Sequence, residues 1–124
     1  MGIDIYARWK SQTAEELKEQ MAAWFSVTDG KLGYLREAYH GGPYATHYLC
    51  SEVFLQKREA RIPATRLRLR LRQALALAEE RERNIYKSDE KHIEEVKQSF
   101  RDFVDLCERK ETADGEPVLI VADY

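Results

Sequence analysis

The chain opens with alternating hydrophobic and polar residues. Alternation with a period of two is typical of a β-strand with one buried face. The apolar positions are Ile3, Ile5, Ala7 and Trp9, and the polar ones are Asp4, Tyr6, Arg8 and Lys10. We therefore predict a first strand here.

A helical period follows the first strand. Thr13 and Glu16 have the spacing of a capping box, which predicts a helix from about Thr13 to Trp24. The apolar face of this helix is predicted to be Leu17, Met21, Trp24 and Phe25.

A turn at Asp29-Gly30 leads into a second predicted strand, from Lys31 to Glu37, with Gly33 weakening its middle. Beyond a glycine-rich loop, Pro43 is suited to the first turn of another helix. The apolar stripe of that helix is Leu49, Cys50, Val53 and Phe54.

The segment from Arg66 to Arg72 alternates Arg and Leu strictly, which leaves two alternatives. A strand would place every Leu on one side. A helix from about Pro63 to Tyr86 is favoured, because a continuous stripe with a period of 3.6 runs past the alternating stretch. The stripe is Leu67, Leu71, Ala74, Leu75, Ala78 and Ile85.

The last predicted helix starts at the N-cap Ser88, and Arg109 and Lys110 suit its negative C-terminal end. Its stripe is Ile93, Val96, Phe100, Phe103, Val104 and Cys107. A turn at Asp114-Gly115 then leads to the unbroken apolar run from Val118 to Ala122, which predicts a central strand.

This order of elements predicts one α+β domain over residues 1–124, with a small, mainly antiparallel sheet of about three strands covered by about four helices. A length of 124 residues suits one domain. The content of 44% hydrophobic and 34% charged residues is that of an ordinary globular domain and excludes a disordered chain.

Charge and hydropathy narrow the class of partner. The net charge of −2 predicts no overall attraction to nucleic acid or to an anionic membrane. No apolar run approaches the roughly 20 residues of a membrane-spanning helix, and the N-terminus lacks the pattern of a secretory signal. We therefore expect a cytoplasmic protein with no membrane partner.

The segment from Tyr34 to Tyr44 is the most informative for chemistry. Its glycine pair lets backbone amides approach a ligand, and the N-terminus of the following helix favours anions. Arg36 and His40 could therefore bind a phosphate or a carboxylate, and His40 is also the candidate general base. The predicted ligand-binding residues are Arg36, Tyr39, His40, Gly41, Gly42 and Tyr44.

The same segment also has a purely structural interpretation, which we favour. It would be a glycine turn braced by aromatic packing and by an ion pair of Arg36 with Glu37 or Asp4. Cross-strand pairs are ordinary stabilisers of a solvated sheet face. The side chains that could meet on such a face are Asp4, Tyr6 and Arg8 from the first strand and Tyr34 and Arg36 from the second.

His47 and Cys50 share a helix face, which raises the question of a metal or a thiol nucleophile. Zinc needs three or four protein ligands, and the sequence offers only Cys107, His40, His92 and scattered carboxylates to complete such a set. We predict no metal and no cofactor. Both cysteines lie on apolar stripes, where a free cysteine usually packs in the core.

The segment from Lys57 to Arg72 has seven basic residues and one acidic one, a local charge of +6. Such a segment could contact nucleic acid phosphates, chiefly through Arg61–Arg72. On a helix, however, the arginines border the apolar stripe on both flanks, and acids of the later helices offer partners. The expected partners are Glu79, Glu80, Glu82, Glu90, Glu94 and Glu95.

Two segments resemble a group of small uncharacterised bacterial proteins. These segments are Met1 to Tyr6, with the sequence Met-Gly-Ile-Asp-Ile-Tyr, and Gly33 to Gly41, with the sequence Gly-Tyr-Leu-Arg-Glu-Ala-Tyr-His-Gly. The resemblance extends over most of the chain. It implies a compact cytoplasmic domain and carries over no activity or catalytic residue.

Three functions follow as hypotheses. The first is a non-catalytic binding or protein-interaction domain, with a homodimer as one form of that interaction. The alternative is a small enzyme or ligand-binding protein for an anionic substrate, using the loop with Arg36 and His40. Nucleic acid binding through Arg61–Arg72 is the least favoured of the three.

Overall fold

The computed structural model describes residues 2–24, 28–55 and 57–124. Within these ranges, four strands and four α-helices form an α+β domain, which confirms the predicted fold class. In chain order the elements are β1 (Gly2–Arg8), α1 (Ala14–Ala22), β2 (Tyr34–Ala38), α2 (Ala45–Leu49), β3 (Glu59–Arg61), α3 (Ala64–Asn84), α4 (Glu90–Asp114) and β4 (Leu119–Asp123).

The strands form one antiparallel sheet in the order β2-β1-β4-β3. β4 lies between β1 and β3, so the prediction of a central last strand is confirmed. β3 was not predicted. This edge strand has only three residues, which is too short for alternation to stand out.

One face of the sheet packs against α3 and α4 to form the core. Ile3, Ile5 and Ala7 of β1 point into it, as predicted. Most of both helical stripes is buried there as well, whereas Ile85 lies beyond the end of α3 and is exposed. Among the described residues, no helix is long and apolar enough to cross a membrane.

The alternating Arg and Leu segment is helical, as favoured from its periodicity. Leu67 and Leu71 are buried, whereas Leu69 between them is 83% exposed. A strand would have turned all three side chains to the same side. The segment is therefore helical because a helix buries the long apolar stripe, and this stabilises the fold more than a strand over the short alternating stretch would.

The prediction for the apolar face of α1 is wrong. Leu17, Met21 and Trp24 are exposed by more than a third, and the buried side chain is Gln20. Its amide donates to the carbonyls of Ala7, Leu32 and Gly33, so the inward position needs a hydrogen-bonding group. Phe25, which was also assigned to this face, lies outside the described residues.

The second strand begins later than predicted. Gly30–Leu32 forms a 3-10 turn, and Asp29 caps it by accepting a hydrogen bond from the Lys31 amide. Gly33 then adopts φ of +77°, a left-handed conformation that glycine adopts without strain. Gly33 thus ends the turn, and it does not lie inside the strand.

Helix boundaries also differ from the predictions. α2 is shorter than expected and is followed by a 3-10 turn at Ser51–Phe54, and Pro43 precedes the helix instead of starting it. The N-cap of α4 is Asp89, not Ser88, because the Asp89 carboxylate accepts from the amide of His92. α4 also continues to Asp114, so Arg109 and Lys110 lie inside it.

Candidate functional site

A chain of charged and polar side chains, buried except for His92 at one end, connects β2 to the junction of α3 and α4. Glu37 from β2 contacts Arg81 of α3, and Arg81 contacts its neighbour Glu82. A histidine lies at each end, since His40 contacts Glu37 and His92 contacts Glu82. We call these five residues the ionic chain.

Glu37 is the centre of the ionic chain, and its carboxylate is 1% exposed. One oxygen accepts from the Thr46 amide at 2.9 Å and the Thr46 hydroxyl at 2.7 Å. The other accepts from the Ala45 amide at 3.1 Å, from His40 Nε2 at 3.0 Å and from Arg81 Nη1 at 2.7 Å. Both oxygens are therefore fully engaged by donors.

The contacts of Glu37 bear directly on the anion site predicted at the start of α2. The amides of Ala45 and Thr46 do bind a carboxylate, but it is the carboxylate of Glu37 itself. Burial opposes ionisation of Glu37, yet the charge of Arg81 and the hydrogen bonds from Thr46 and His40 outweigh it and lower its pKa. The helix terminus is thus occupied from within.

The glycine loop is also closed by the protein's own side chain. The amides of His40 and Gly41 both donate to the hydroxyl of Tyr44, at 3.3 Å and 3.2 Å. Gly41 and Gly42 have φ of +88° and +69°, which lets the loop turn around that hydroxyl. These two amides stabilise the loop through Tyr44.

His40 is buried, and only one of its ring nitrogens has a partner. The imidazole is 2% exposed and lies at 4.5 Å, edge to face, from the ring of Tyr44. Nε2 faces the ionised carboxylate of Glu37, so Nε2 carries a hydrogen and donates it to that carboxylate. Nδ1 is buried and has no hydrogen-bond partner among the described residues.

The other end of the ionic chain lies where α3 meets α4. Glu82 accepts from Arg81 Nε at 3.0 Å and from the Ser88 hydroxyl at 2.9 Å, and His92 Nε2 lies at 3.1 Å. Arg81 and Glu82 are both buried. These contacts fix the turn between the two helices against the sheet.

Arg36 lies on the opposite face of β2 from Glu37, because successive side chains of a strand alternate. Its guanidinium contacts both carboxylate oxygens of Asp4, at 2.8 Å and 3.0 Å, across the β1–β2 register. Tyr34 donates to the same carboxylate at 2.6 Å. The ion pair with Asp4 offered in the sequence analysis is therefore present.

The polar side chains predicted to meet across the sheet do so. The rings of Tyr6 and Tyr34 stack at 5.3 Å, and the Arg8 guanidinium lies 5.3 Å from the Tyr6 ring centre. Asp4, Tyr6 and Tyr34 are buried, so the expectation of a solvated face is wrong for them. Burial is the main reason that the pKa of Tyr6 rises to about 12.

Two openings flank the ionic chain, and Arg81 lines both. The larger, which we call the groove, has a volume of about 430 Å³. It is lined by Thr28, Arg36, Glu37, Ala38, Arg81, Glu82, Tyr86, Ser88, His92 and Val96. The smaller, which we call the cleft, measures about 120 Å³ and is lined by His40, Gly42, Pro43, Leu77, Glu80, Arg81, Asn84 and Ile85.

The predicted site residues are thus divided between these places. Arg36 lines the groove, whereas His40 and Gly42 line the cleft, so the structure does not bring Arg36 and His40 into one opening. Tyr44 supports the loop, and the exposed Tyr39 is not part of either lining. No observation tests His40 as a general base, and this stays a prediction.

The sequence pattern points to neither Arg81 nor the central role of Glu37, and it predicts Ser88 only as the N-cap of the last helix. It predicts Glu82 only as one of the acidic partners of the basic segment. The contact from Arg81 to Glu37 spans 44 positions, so no local spacing reveals it. The available signal was Arg81-Glu82 itself, an adjacent charged pair beside the apolar stripe of α3.

The basic segment is extensively paired within the chain. Arg66 and Arg70 both contact Glu52, and Arg68 contacts Asp105 and Glu108. The expected partners for these arginines were wrong, because Glu79 contacts Lys97 and Arg83 instead. Burial opposes ionisation of Glu52, but its hydrogen bonds from Arg70 and Arg66 prevail and lower its pKa to about 2.

Both cysteines are free thiols in the core. Burial raises the pKa of the Cys50 and Cys107 thiols, which keeps them protonated. His47 packs against the ring of Phe54 at 4.0 Å. In the described ranges, His, Cys, Asp and Glu form no cluster of three or more suited to a metal.

Comparison with protein-family models, curated proteins and solved structures gives no significant match to this chain. The function is therefore inferred from the geometry of the groove, the cleft and the ionic chain.

Proposed function

We propose that this protein is a small non-catalytic binding domain whose groove takes an anionic ligand with a carboxylate or phosphate group. The observation that carries the proposal is that the groove is lined by the buried charged residues Glu37, Arg81 and Glu82. Burying charges is costly, and a cavity lined with them is a common setting for ligand recognition.

The size and construction of the groove support this function. A volume of about 430 Å³ lies within the roughly 300–1,000 Å³ of small-molecule sites. The openings of about 490 Å³ between α3 and α4 and of about 530 Å³ near β3 are larger, but no buried charged residue of the described chain lines either of them. Side chains held rigidly by partners give a more defined site than mobile surface ones.

The chemistry of the groove favours an acceptor-rich ligand. The carboxylates of Glu37 and Glu82 are occupied by donors from within the protein. Arg81 has five N–H groups, and its contacts with described residues use Nε and Nη1. The hydroxyl of Ser88 donates to Glu82 and the guanidinium of Arg36 contacts Asp4, so Arg81 supplies the donors for a ligand. Guanidinium groups bind carboxylates and phosphates with two parallel hydrogen bonds.

Titration calorimetry with inorganic phosphate, citrate and adenosine monophosphate tests this proposal. We expect at least one of them to bind with saturation, whereas glucose does not. Arg36→Gln removes a positive charge from the groove lining and should weaken binding roughly tenfold. The exposed Arg109 lies outside the groove lining, so Arg109→Gln is the matched control for loss of one positive charge.

A second variant guards against loss of folding in Arg36→Gln, whose wild-type side chain also holds Asp4. His92→Gln alters the rim of the groove at a half-exposed side chain and should also weaken binding. Equal affinity of the wild type, Arg36→Gln and His92→Gln for every anion would refute the proposed site. So would absence of binding to all three anions at millimolar concentration.

A further inference from the structure

The strand β3 forms an edge of the sheet, because β4 is its only neighbour in the strand order. The carbonyl of Arg58 and the amide of Ile62 both bond to the β4 side. Hydrogen-bonding directions alternate along an antiparallel strand, so Ala60 between them also faces β4. The N–H and C=O groups of Glu59 and Arg61 therefore point away from the sheet.

No described segment covers this edge. The backbone groups of Glu59 and Arg61 bond to no strand or loop among the described residues. An opening of about 530 Å³ is lined by Glu59 and by Leu55, and Leu55 is 78% exposed. The opposite edge of the sheet differs, since Asp29 pairs with Tyr34 of β2. An open strand edge is a template for pairing with another chain.

We propose that β3 is the interface of a homodimer, in which the β3 strands of two copies pair antiparallel around a two-fold axis at Ala60. The two four-stranded sheets then form one sheet of eight strands. Glu59 of each copy faces Arg61 of the other, and each such pair exchanges two backbone hydrogen bonds, so the two pairs form four. This interface goes beyond the proposed anion-binding function and does not depend on it.

The charges on β3 favour this register. Glu59 is exposed and forms no ion pair with any described side chain, and Arg61 is half-exposed and contacts Glu116 at 3.5 Å. Opposite charges directly across an antiparallel pair are stabilising, and like charges are destabilising. Moving the register by two residues places Glu59 opposite Glu59, or Arg61 opposite Arg61. Moving it by one residue places outward groups opposite inward ones, which loses the hydrogen bonds.

A second copy of the chain fits this edge better than an arbitrary peptide does. Charged side chains on an edge strand normally discourage pairing, so a partner strand needs the complementary charges in the right order. A two-fold axis meets this requirement, because it repeats the match of Glu59 with Arg61. Ala60 lies at the axis, where Cα atoms approach to about 4.5 Å, and its small side chain permits that approach.

Sedimentation equilibrium over a range of protein concentrations tests the dimer. Small interfaces give weak complexes, so we expect a reversible equilibrium between monomer and dimer. Glu59→Arg and Arg61→Glu each place like charges in both pairs and should weaken dimerisation roughly tenfold. Both positions are exposed, so the variants should fold.

Charge exchange makes the test specific to this register. The double variant Glu59→Arg/Arg61→Glu restores opposite charges in both pairs and should dimerise as the wild type does. An equal mixture of the two single variants should also dimerise, because one copy then carries two positive charges on β3 and the other carries two negative ones. Glu95→Arg and Arg109→Glu change exposed positions of α4 and are the matched controls, with no expected effect.

Amide hydrogen exchange followed by NMR tests whether β3 is the segment that pairs. In the wild type, exchange at Glu59 and Arg61 should become slower as the dimer fraction rises with protein concentration. The amide of Ala60 faces β4 in both states, so its exchange rate should stay the same and serves as the internal control. In the two single variants, exchange at the outward amides should stay fast.

Three results would overturn the proposal. The first is a monomer at every concentration up to the millimolar range, which would mean that the edge stays unpaired or takes a strand from a different protein. The second is a dimer in which the amides of Glu59 and Arg61 exchange as fast as in the monomer. The third is equal dimerisation of the single and double variants. None of these measurements uses an anion or a groove residue, so failure here leaves the anion-binding proposal standing.

Discussion

Replacing Glu37 with glutamine tests the role of the buried carboxylate in the fold. The substitution keeps the size of the side chain and one carbonyl acceptor, but it removes the negative charge. Arg81, buried beside it, then retains Glu82 as its only carboxylate partner among the described residues. The amides of Ala45 and Thr46 lose an ionised acceptor at the start of α2.

The expected cost follows from burial and from the number of donors. Removing one partner of a buried ion pair costs about 3–5 kcal/mol. Because Glu82 still neutralises Arg81, we expect Glu37→Gln to lower the free energy of unfolding by about 3 kcal/mol, the lower end of this range. For a chain of this length that corresponds to a fall in Tm of roughly 12 °C, at about 4 °C per kcal/mol.

Urea denaturation of the wild type and Glu37→Gln, followed by circular dichroism, measures this difference in the free energy of unfolding. The pKa of Glu37 is lowered in the folded state, so its stabilisation is fully present above the unfolded pKa of about 4.3. It is lost as the pH falls through the lower folded pKa. The difference in the free energy of unfolding between the wild type and Glu37→Gln should therefore be constant from about pH 8 to pH 5 and become smaller in more acidic solution.

A matched control and a double-mutant cycle make the result specific. Glu95→Gln removes an exposed carboxylate and should change stability by less than about 0.5 kcal/mol. In an Arg81→Met background, Glu37→Gln should have a smaller effect, since the ion pair is already broken. A loss below 1 kcal/mol in the wild-type background, or no coupling with Arg81→Met, would refute the account of Glu37.

Three further predictions concern the sheet face, α3 and the thiols. Tyr34→Phe removes the hydrogen bond to Asp4 and should lower the free energy of unfolding by about 1.5–3 kcal/mol. Tyr6→Phe should be near neutral, because the Tyr6 hydroxyl has no partner among the described residues. Equal losses of stability in the two variants on urea denaturation would contradict this prediction. Leu67→Ala should lower the free energy of unfolding by about 2–5 kcal/mol and Leu69→Ala by under about 1 kcal/mol, because Leu67 is buried and Leu69 is exposed. A larger loss in Leu69→Ala would contradict the helical structure of this segment. Both cysteine thiols should react with a disulfide reagent only on unfolding, and rapid labelling of the folded protein would contradict their burial.

Much of the fold could be predicted because it depends on long periodic patterns. The stripe that includes Leu67 and Leu71 continues for about six turns of α3, so it outweighed the local alternation of Arg and Leu. The apolar run from Val118 was enough to place the last strand in the centre of the sheet. Patterns of this kind reflect burial, which is the dominant favourable contribution to folding.

The errors arose where polar groups decide the packing. α1 turns Gln20 inward because its amide donates to backbone carbonyls there, and no apolar residue can supply such a donor. Periodicity read from hydrophobic residues cannot detect this requirement. For the same reason, the stripe through Leu17 and Met21 was assigned to the wrong environment.

The candidate site was predicted in part. The N-terminus of α2 does bind an anionic group, but that group is the carboxylate of Glu37. Arg36 and His40 were identified from their residue types, whereas Arg81 depends on a contact between distant segments. Charged residues that pair across distant segments of the chain have no characteristic spacing in the sequence.

The most direct test of the anion-binding groove is amide NMR mapping with whichever anion binds best. The account predicts that the largest shifts lie at Ala38, Tyr86 and Ser88 around the groove and that they are lost in Arg36→Gln. The contradictory result is a set of shifts centred on the arginines of α3, from Arg66 to Arg72, with the groove amides unchanged.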